Sequence, residues 1–432
     1  MKISKKFFFK IHSWIGVKLS ILFFIVCFSG TMATLSNEMD WLFNLEIRAT
    51  PSDTLANKND IIQNFKTIYP NAKITLWQRA EAPYMCDIIY KEENGKRSYV
   101  FANPYTGKIQ GETTLTIQRF FRDLHYFLFM PQYQIGYFIV LAFAFFLLMS
   151  LTTALFIYKT WWKKFFSFQK GNSAIMVFRS LHRLIGLWVL PFVVLFSITG
   201  IWYFTERTNI NNIGNKVNPD TPKVATANKT DVLVDTIDFS KIEKIAKNEI
   251  PGLKVGGITV PKNYASTLYL TGYNNVPLVR ERANRVYINL NNYKVVKTQK
   301  AEDIGVLMWV NDIADPLHFG YWGGLPTKII WFFAGCGISF LILSGIWITL
   351  KRQKLQQNKN KNKTQKAMGW WRYINWALSL IVVGFMYSSI VSRYGASLKA
   401  IFVISFGVVC FIGLGYYIFV FRINRSVAKT QK

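Results

Sequence analysis

The chain has 432 residues, 51% of them apolar and 16% aromatic with only 17% charged, a balance that excludes both a disordered polymer and a small disulfide scaffold. Its formal charge of +29 would point to nucleic acid in a soluble protein, but the basic surplus gathers beside long apolar runs, where it reads as membrane topology. Cys27, Cys336 and Cys410 fall inside apolar runs and Cys86 stands alone in a polar stretch, so no disulfide framework is expected.

Six apolar runs of about twenty residues are each long enough to cross a hydrocarbon core of about 30 Å. In chain order the reading is a first membrane helix within residues 1–35, a polar domain over 36–134, a second span over 135–158, a loop over 159–183 and a third span over 184–204. A second polar domain over 205–326 follows, then a fourth span over 327–350, a basic linker over 351–370, a hairpin of two further spans over 371–420 and a tail over 421–432. The N-terminus carries Lys2, Lys5, Lys6 and Lys10, the loop after the second span Lys159, Lys163, Lys164, Lys170 and Arg179, and the tail Arg422, Arg425, Lys429 and Lys432. By the positive-inside rule these segments and the linker are cytoplasmic, with both termini inside and the two polar domains outside. The first run exceeds a usual signal-peptide core, and no small-residue cleavage site precedes Glu38 and Asp40, so a retained span is expected.

In the first polar domain, Asn59 to Tyr69 has the pattern of an amphipathic helix ended by Pro70, and strands are expected over Ile74 to Arg79, Tyr84 to Tyr90 and Arg97 to Ala102. Glu92-Glu-Asn-Gly95 reads as a hairpin turn, and Asn103-Pro-Tyr-Thr-Gly107-Lys108 as a turn in which Gly107 takes positive φ. The second polar domain echoes this order. A helix over Ser240 to Glu249 is broken by Pro251-Gly, and strands are expected near Lys254 to Val260, Ser266 to Gly272, Val276 to Glu281 and Arg285 to Leu290. Asn289 to Lys294 keeps the spacing of Asn103 to Lys108 without its proline or glycine.

The chain also repeats itself. His12-Ser-Trp-Ile-Gly16 aligns with His182-Arg-Leu-Ile-Gly186, and Gly30 and Gly200 each stand 18 residues beyond their histidine. Leu124-His125-Tyr126 precedes the second span as Leu317-His318-Phe319 precedes the fourth. Both copies run the same way, so they can pack about a pseudo-twofold axis along the membrane normal. The last two spans belong to neither copy.

All four histidines of the chain occupy these repeated positions. His12 and His182 sit at one end of their spans, His125 and His318 at the other, so one metal atom can join His12 with His182 or His125 with His318 but not across the membrane. Two imidazoles complete the axial positions of a haem iron, whereas zinc usually takes three or four protein ligands. Gly16 and Gly186 follow their histidines at i+4, where a missing side chain admits a flat macrocycle or, equally, a neighbouring helix. Arg122 and Arg183 are propionate partners by charge and position, or simple interfacial cations. Asp123 and Asp315 lie where a carboxylate orients an imidazole, caps a helix or is simply solvated. The polar domains carry no nucleophile with a paired base and no phosphate-cradling loop.

The His-x-x-x-Gly span starts, the Asn103-Pro-Tyr-Thr-Gly107-Lys108 turn and the Leu-His elements together resemble the PepSY-associated transmembrane proteins, a family that includes iron-regulated inner-membrane proteins and ferric-siderophore reductases, over roughly Lys5 to Arg352. The resemblance implies an α-helical integral membrane protein of about six transmembrane helices, with a pseudo-twofold repeat in the first four and two small α+β PepSY-like domains in the periplasm. It implies two bis-histidine b haems on His12, His182, His125 and His318, and electron transfer across the bacterial inner membrane to a ferric siderophore or other ferric chelate. No flavodoxin-like or nicotinamide-binding segment is present, so the expected donor is a quinol or a cytoplasmic reductase; membrane lipid is the other expected partner, and nucleic acid is not. The alternative is a non-enzymatic anchor whose PepSY modules bind a peptide or restrain a protease. A transporter would carry midplane charges or broken helices, of which Pro191 is the one hint.

Overall fold

The computed structural model describes residues 4–169, 173–224, 230–359 and 368–428. Lys2, Lys170, Lys429, Lys432 and much of the basic linker therefore lie outside the described residues. The chain divides into a helical unit, built from 1–35, 120–204 and 328–432, and a sheet unit, built from 36–119 and 205–327.

The chain starts with α1 (Lys5–Lys18) and α2 (Ser20–Thr34), followed by α3 (Ser36–Phe43), α4 (Lys58–Ile68), α5 (Ile117–Phe127) and α6 (Tyr133–Ile157). Next come α7 (Ala174–Trp188), α8 (Leu190–Thr208), α9 (Ile213–Val217), α10 (Phe239–Glu249) and α11 (Val306–Phe319). The last helices used below are α12 (Leu325–Lys359), α13 (Trp371–Ser388) and α14 (Leu398–Tyr416). Four helical stretches, in α6, α12, α13 and α14, are individually long and apolar enough to cross a membrane; α1 with α2 and α7 with α8 form two bent pairs, so the described residues hold between four and six spans.

The first and third apolar runs, each expected as one span, are bent helix pairs. α1 and α2 meet at 73°, and α7 and α8 at 60°. The breaks fall at Leu19 and Val189, each seven residues beyond a histidine. Pro191 stands in the first turn of α8, where its missing N–H has no helical acceptor to lose. Leu19 has no such marker. There Asn375, on α13 and 1% exposed, donates to the Lys18 carbonyl at 2.8 Å and accepts from the Ile21 N–H at 3.3 Å, satisfying backbone groups that the bend releases.

In the sheet unit β1 (Lys73–Gln78), β2 (Asp87–Glu93), β3 (Lys96–Ala102) and β4 (Ile109–Thr113) come from the first polar segment, and β5 (Lys254–Thr259), β6 (Leu268–Tyr273), β7 (Asn284–Asn289) and β8 (Lys294–Gln299) from the second. They form one eight-stranded antiparallel sheet in the order β4-β3-β2-β1-β5-β6-β7-β8. The two segments, expected as separate small domains, thus share one sheet through β1 and β5, with Trp77 opposite Ile258. α4 and α10 supply Ile61, Phe65, Phe239 and Ile242 to a single core with Ile89, Val100, Ile258 and Leu270. Full burial of such side chains contributes about 1.5–3 kcal/mol each. The helix starts also interlock: Asn59 donates to Asp238 at 2.9 Å, and the Phe239 N–H donates back to Asn59 at 2.8 Å.

The predicted turn at 92–95 forms, with Asn94 and Gly95 at φ 51° and 72°. Gly107 has φ 73°, and its N–H donates to the Asn103 carbonyl at 3.0 Å. Tyr293, at the matching place in the second half, has φ 59° and donates to Asn289 at 2.8 Å, so the echo turn keeps this geometry without glycine. The strand expected over Val276 to Glu281 does not form: Pro277 lacks an N–H for the ladder, and Leu278 turns to φ 62°.

Candidate functional site

α1 and α7 carry the first two histidines. The ring centroids of His12 and His182 lie 6.3 Å apart with their planes at 88°. Nδ1 of His12 donates to the Ser150 carbonyl of α6 at 3.0 Å, which puts the ring proton there and the lone pair on Nε2. Nδ1 of His182 lies 2.9 Å from the Ser344 hydroxyl of α12, whose own proton goes to the Leu341 carbonyl at 3.2 Å, so this imidazole also donates through Nδ1. Both rings therefore turn Nδ1 to partners on other helices and leave Nε2 as the nitrogen available to a metal. Imidazoles on opposite sides of one metal atom, with bonds of about 2 Å, have centroids roughly 6 Å apart, close to the spacing here.

His125 sits near the end of α5, where Nδ1 donates to the Val26 carbonyl of α2 at 2.8 Å. A Cβ at Gly30 would come within 2.8 Å of this ring, so the glycine found 18 residues after His12 admits His125 against α2. His318 occupies the last turn of α11 in the sheet unit. That helix is tied to the strand side by a charged network: Arg280 bonds Asp312 at 2.9 Å and Asp315 at 2.7 Å, and Arg282 bonds Asp312 at 2.6 Å. Asp315 therefore anchors α11 through arginine. Asp123 is 2% exposed, rather than solvated, and accepts from the Tyr394 hydroxyl, while the Nδ1 of His125 goes to Val26.

Gly16 has no atom within 4 Å of a Cβ built on it, and Gly186 meets Leu341 at ordinary contact, 3.7 Å. Arg122 is exposed, with its guanidinium 5.8 Å from the Tyr126 ring centre. Arg183 donates to the Ser167 carbonyl at 2.6 Å. Ser150, Ser344 and Asn375 are site residues that sequence reasoning missed; each is an ordinary small polar side chain in an apolar helix, and that polarity was the available signal. Outside the spans, Asp40 caps α5 by accepting from the N–H groups of Ile117 at 2.7 Å and Gln118 at 2.9 Å, and burial pushes its carboxyl up to about 6 against the pull of those bonds. Among the described residues no three His, Cys, Asp or Glu side chains gather as a metal-binding group.

A family model described as the PepSY-associated TM region matches residues 9–352. No curated protein matches the chain.

Proposed function

Because the chain belongs to the PepSY-associated transmembrane family, a multi-pass membrane class, we propose that it is an inner-membrane di-haem b oxidoreductase that passes electrons to a ferric siderophore or similar ferric chelate on the periplasmic side. The observation that carries this reading is the His12 and His182 pair, two imidazoles at a separation that suits one iron, each oriented through Nδ1 by a polar partner. Held by two such histidines, a haem would supply one-electron exchange rather than substrate activation.

The residues divide the work between two levels. His12 and His182 hold the inner group, with Ser150 and Ser344 fixing their tautomers and raising their basicity. By the sequence repeat, His125 and His318 would hold the outer one, and the Val26 carbonyl orients His125 through Nδ1. The equal spacing from each histidine to its helix break supports the pseudo-twofold repeat, and the basic residues beside the spans support both termini in the cytoplasm. The open ground beside Gly16 suits a flat macrocycle, whereas Gly186 meets Leu341 of α12 at ordinary contact. Arg122 and Arg183 are the cations assigned to propionates, and the donor is a quinol or a cytoplasmic reductase.

The test is the dithionite-reduced absorption spectrum of the purified protein with a pyridine haemochrome count. Two haems per chain are expected, falling to one in His182→Ala and to one in His318→Ala, and reoxidation of the reduced protein by a ferric chelate identifies the acceptor. An unchanged count in either variant removes that ligand. A wild-type protein with no Soret band leaves the sheet unit as a membrane-tethered peptide-binding or protease-restraining module.

A further inference from the structure

The C-terminal hairpin of α13 and α14 begins beyond residue 352, where the family match ends, yet it touches the chain just after His125. α5 finishes in an unusual turn: Leu128 and Phe129 both have φ 55°, and they are 2% and 0% exposed. Left-handed backbone at a bulky L residue costs about 1–2 kcal/mol each, so two in succession persist only where the surroundings hold them.

The hairpin does this. Ser389, in the π-helical turn Ser389–Arg393 that ends α13, donates its hydroxyl to the Phe129 carbonyl at 3.2 Å. Tyr394 donates to the Asp123 carboxylate, one turn before the strained pair, and the Asp123 carbonyl in turn accepts from the Phe129 N–H at 3.4 Å. Between them Arg393 places its guanidinium 4.6 Å from the Tyr133 ring centre and 5.7 Å from that of Phe127. All these groups belong to the helical unit.

We infer that the hairpin is a brace for His125, in which Ser389 and Tyr394 act as positioning residues. They hold the left-handed turn at Leu128 and Phe129, and that turn fixes the end of α5 so that the His125 ring stays on the Val26 carbonyl and against Gly30. Released from Ser389 and Tyr394, the turn relaxes toward ordinary backbone and carries the imidazole off its acceptor. The inference deepens the reading of His125 as an iron ligand and rests on it for its importance, but its principal readout needs no haem.

The experiment compares full-length wild type with Tyr394→Phe, Ser389→Ala and the double variant. The primary readout is solvent exchange of the imidazole Nδ1–H protons in 15N-histidine-labelled protein, with the His125 signal identified by its loss in His125→Asn. In the double variant the His125 proton is expected to exchange at least about tenfold faster, while those of His12 and His182 keep their rates. Where two haems are present, only the midpoint potential that disappears in His125→Ala shifts. An unchanged His125 exchange rate, or equal acceleration at all three rings, overturns the brace, and exchange decides if the two readouts differ. Tyr394→Phe alone, which keeps the ring packing, decides the matter if the double variant does not fold. A wild type without haem sinks the functional reading, and the exchange data still decide this one.

Discussion

The imidazole centroids of His12 and His182 lie 6.3 Å apart with their planes at 88°, and the second ring is tied to the hydroxyl of Ser344 at 2.9 Å. Ser344→Ala leaves a partly buried Nδ1–H without that acceptor, a change that costs about 1–3 kcal/mol, and loss of such an outer partner weakens a metal ligand roughly 10–100-fold. Haem titration of the purified variant is expected to show one weakened site and one unaltered site, with Ser344→Thr restoring the first.

Gly30 and Gly16 are expected to respond oppositely to alanine. The added methyl at Gly30 would lie 2.8 Å from the His125 ring, an overpacking of about 1–3 kcal/mol, so Gly30→Ala lowers the melting temperature and the haem count together. Gly16→Ala meets nothing within 4 Å and gains up to about 1 kcal/mol of helix propensity, so its melting temperature holds or rises.

Asn375→Leu removes the amide that serves both sides of the bend at Leu19. The Lys18 carbonyl and the Ile21 N–H then lose that partner, at about 1–3 kcal/mol each for an unmet buried group. Thermal unfolding in detergent is expected to shift down by several degrees, and Asn375→Asp, which keeps an acceptor for Ile21, by less.

The sheet unit should lose stability as pH rises through the mildly acidic range. Asp40 has its carboxyl raised to about 6 by burial, above an unfolded value of about 3.9, so between those values the folded chain binds more protons than the unfolded one. The contribution is greatest below pH of about 4, declines as pH climbs to about 6 and is then spent, with a span of up to about 3 kcal/mol. Asp40→Asn flattens this part of the stability profile measured by circular dichroism; a slope equal to wild type contradicts it.

Asp312 is 1% exposed and accepts from both Arg280 and Arg282. Asp312→Ala removes the shared carboxylate from both arginines, leaving Arg280 with Asp315 and Arg282 with the neutral oxygens of Asn218 and Val217, and is expected to cost about 1–3 kcal/mol. On the proposed di-haem reading, the variant should also lose the haem assigned to His318 of α11, and Lys73→Ala, at an exposed ion pair with Asp231, should keep it.

Much of this was legible before any coordinates. Glu92 to Gly95 and Asn103 to Lys108 carry turn chemistry in their own side chains, so local pattern sufficed for both turns, and the repeated His-x-x-x-Gly starts pointed to His12 and His182, whose rings lie 6.3 Å apart. The bend at Leu19 escaped because its cause is Asn375, far away in sequence; a helix break without Pro or Gly has no local mark. β4 and β8 escaped because their exposure does not alternate cleanly, and Val276 to Glu281 misled because an apolar run containing Pro277 resembles a strand until the backbone turns at Leu278. The pairing of β1 with β5 was likewise invisible, since strand patterning says which face is apolar but not which neighbour an edge will find.

That seam constrains how the chain is made. Translation delivers β1 long before β5, with the second and third apolar runs emerging in between, so the nascent first half waits with an unpaired border of Leu76, Trp77 and Gln78. Bare strand borders recruit other chains, and non-local pairings form slowly. A ribosome that stops before Lys254 therefore releases a half-sheet prone to clump, and a holding chaperone at that stage would shield β1.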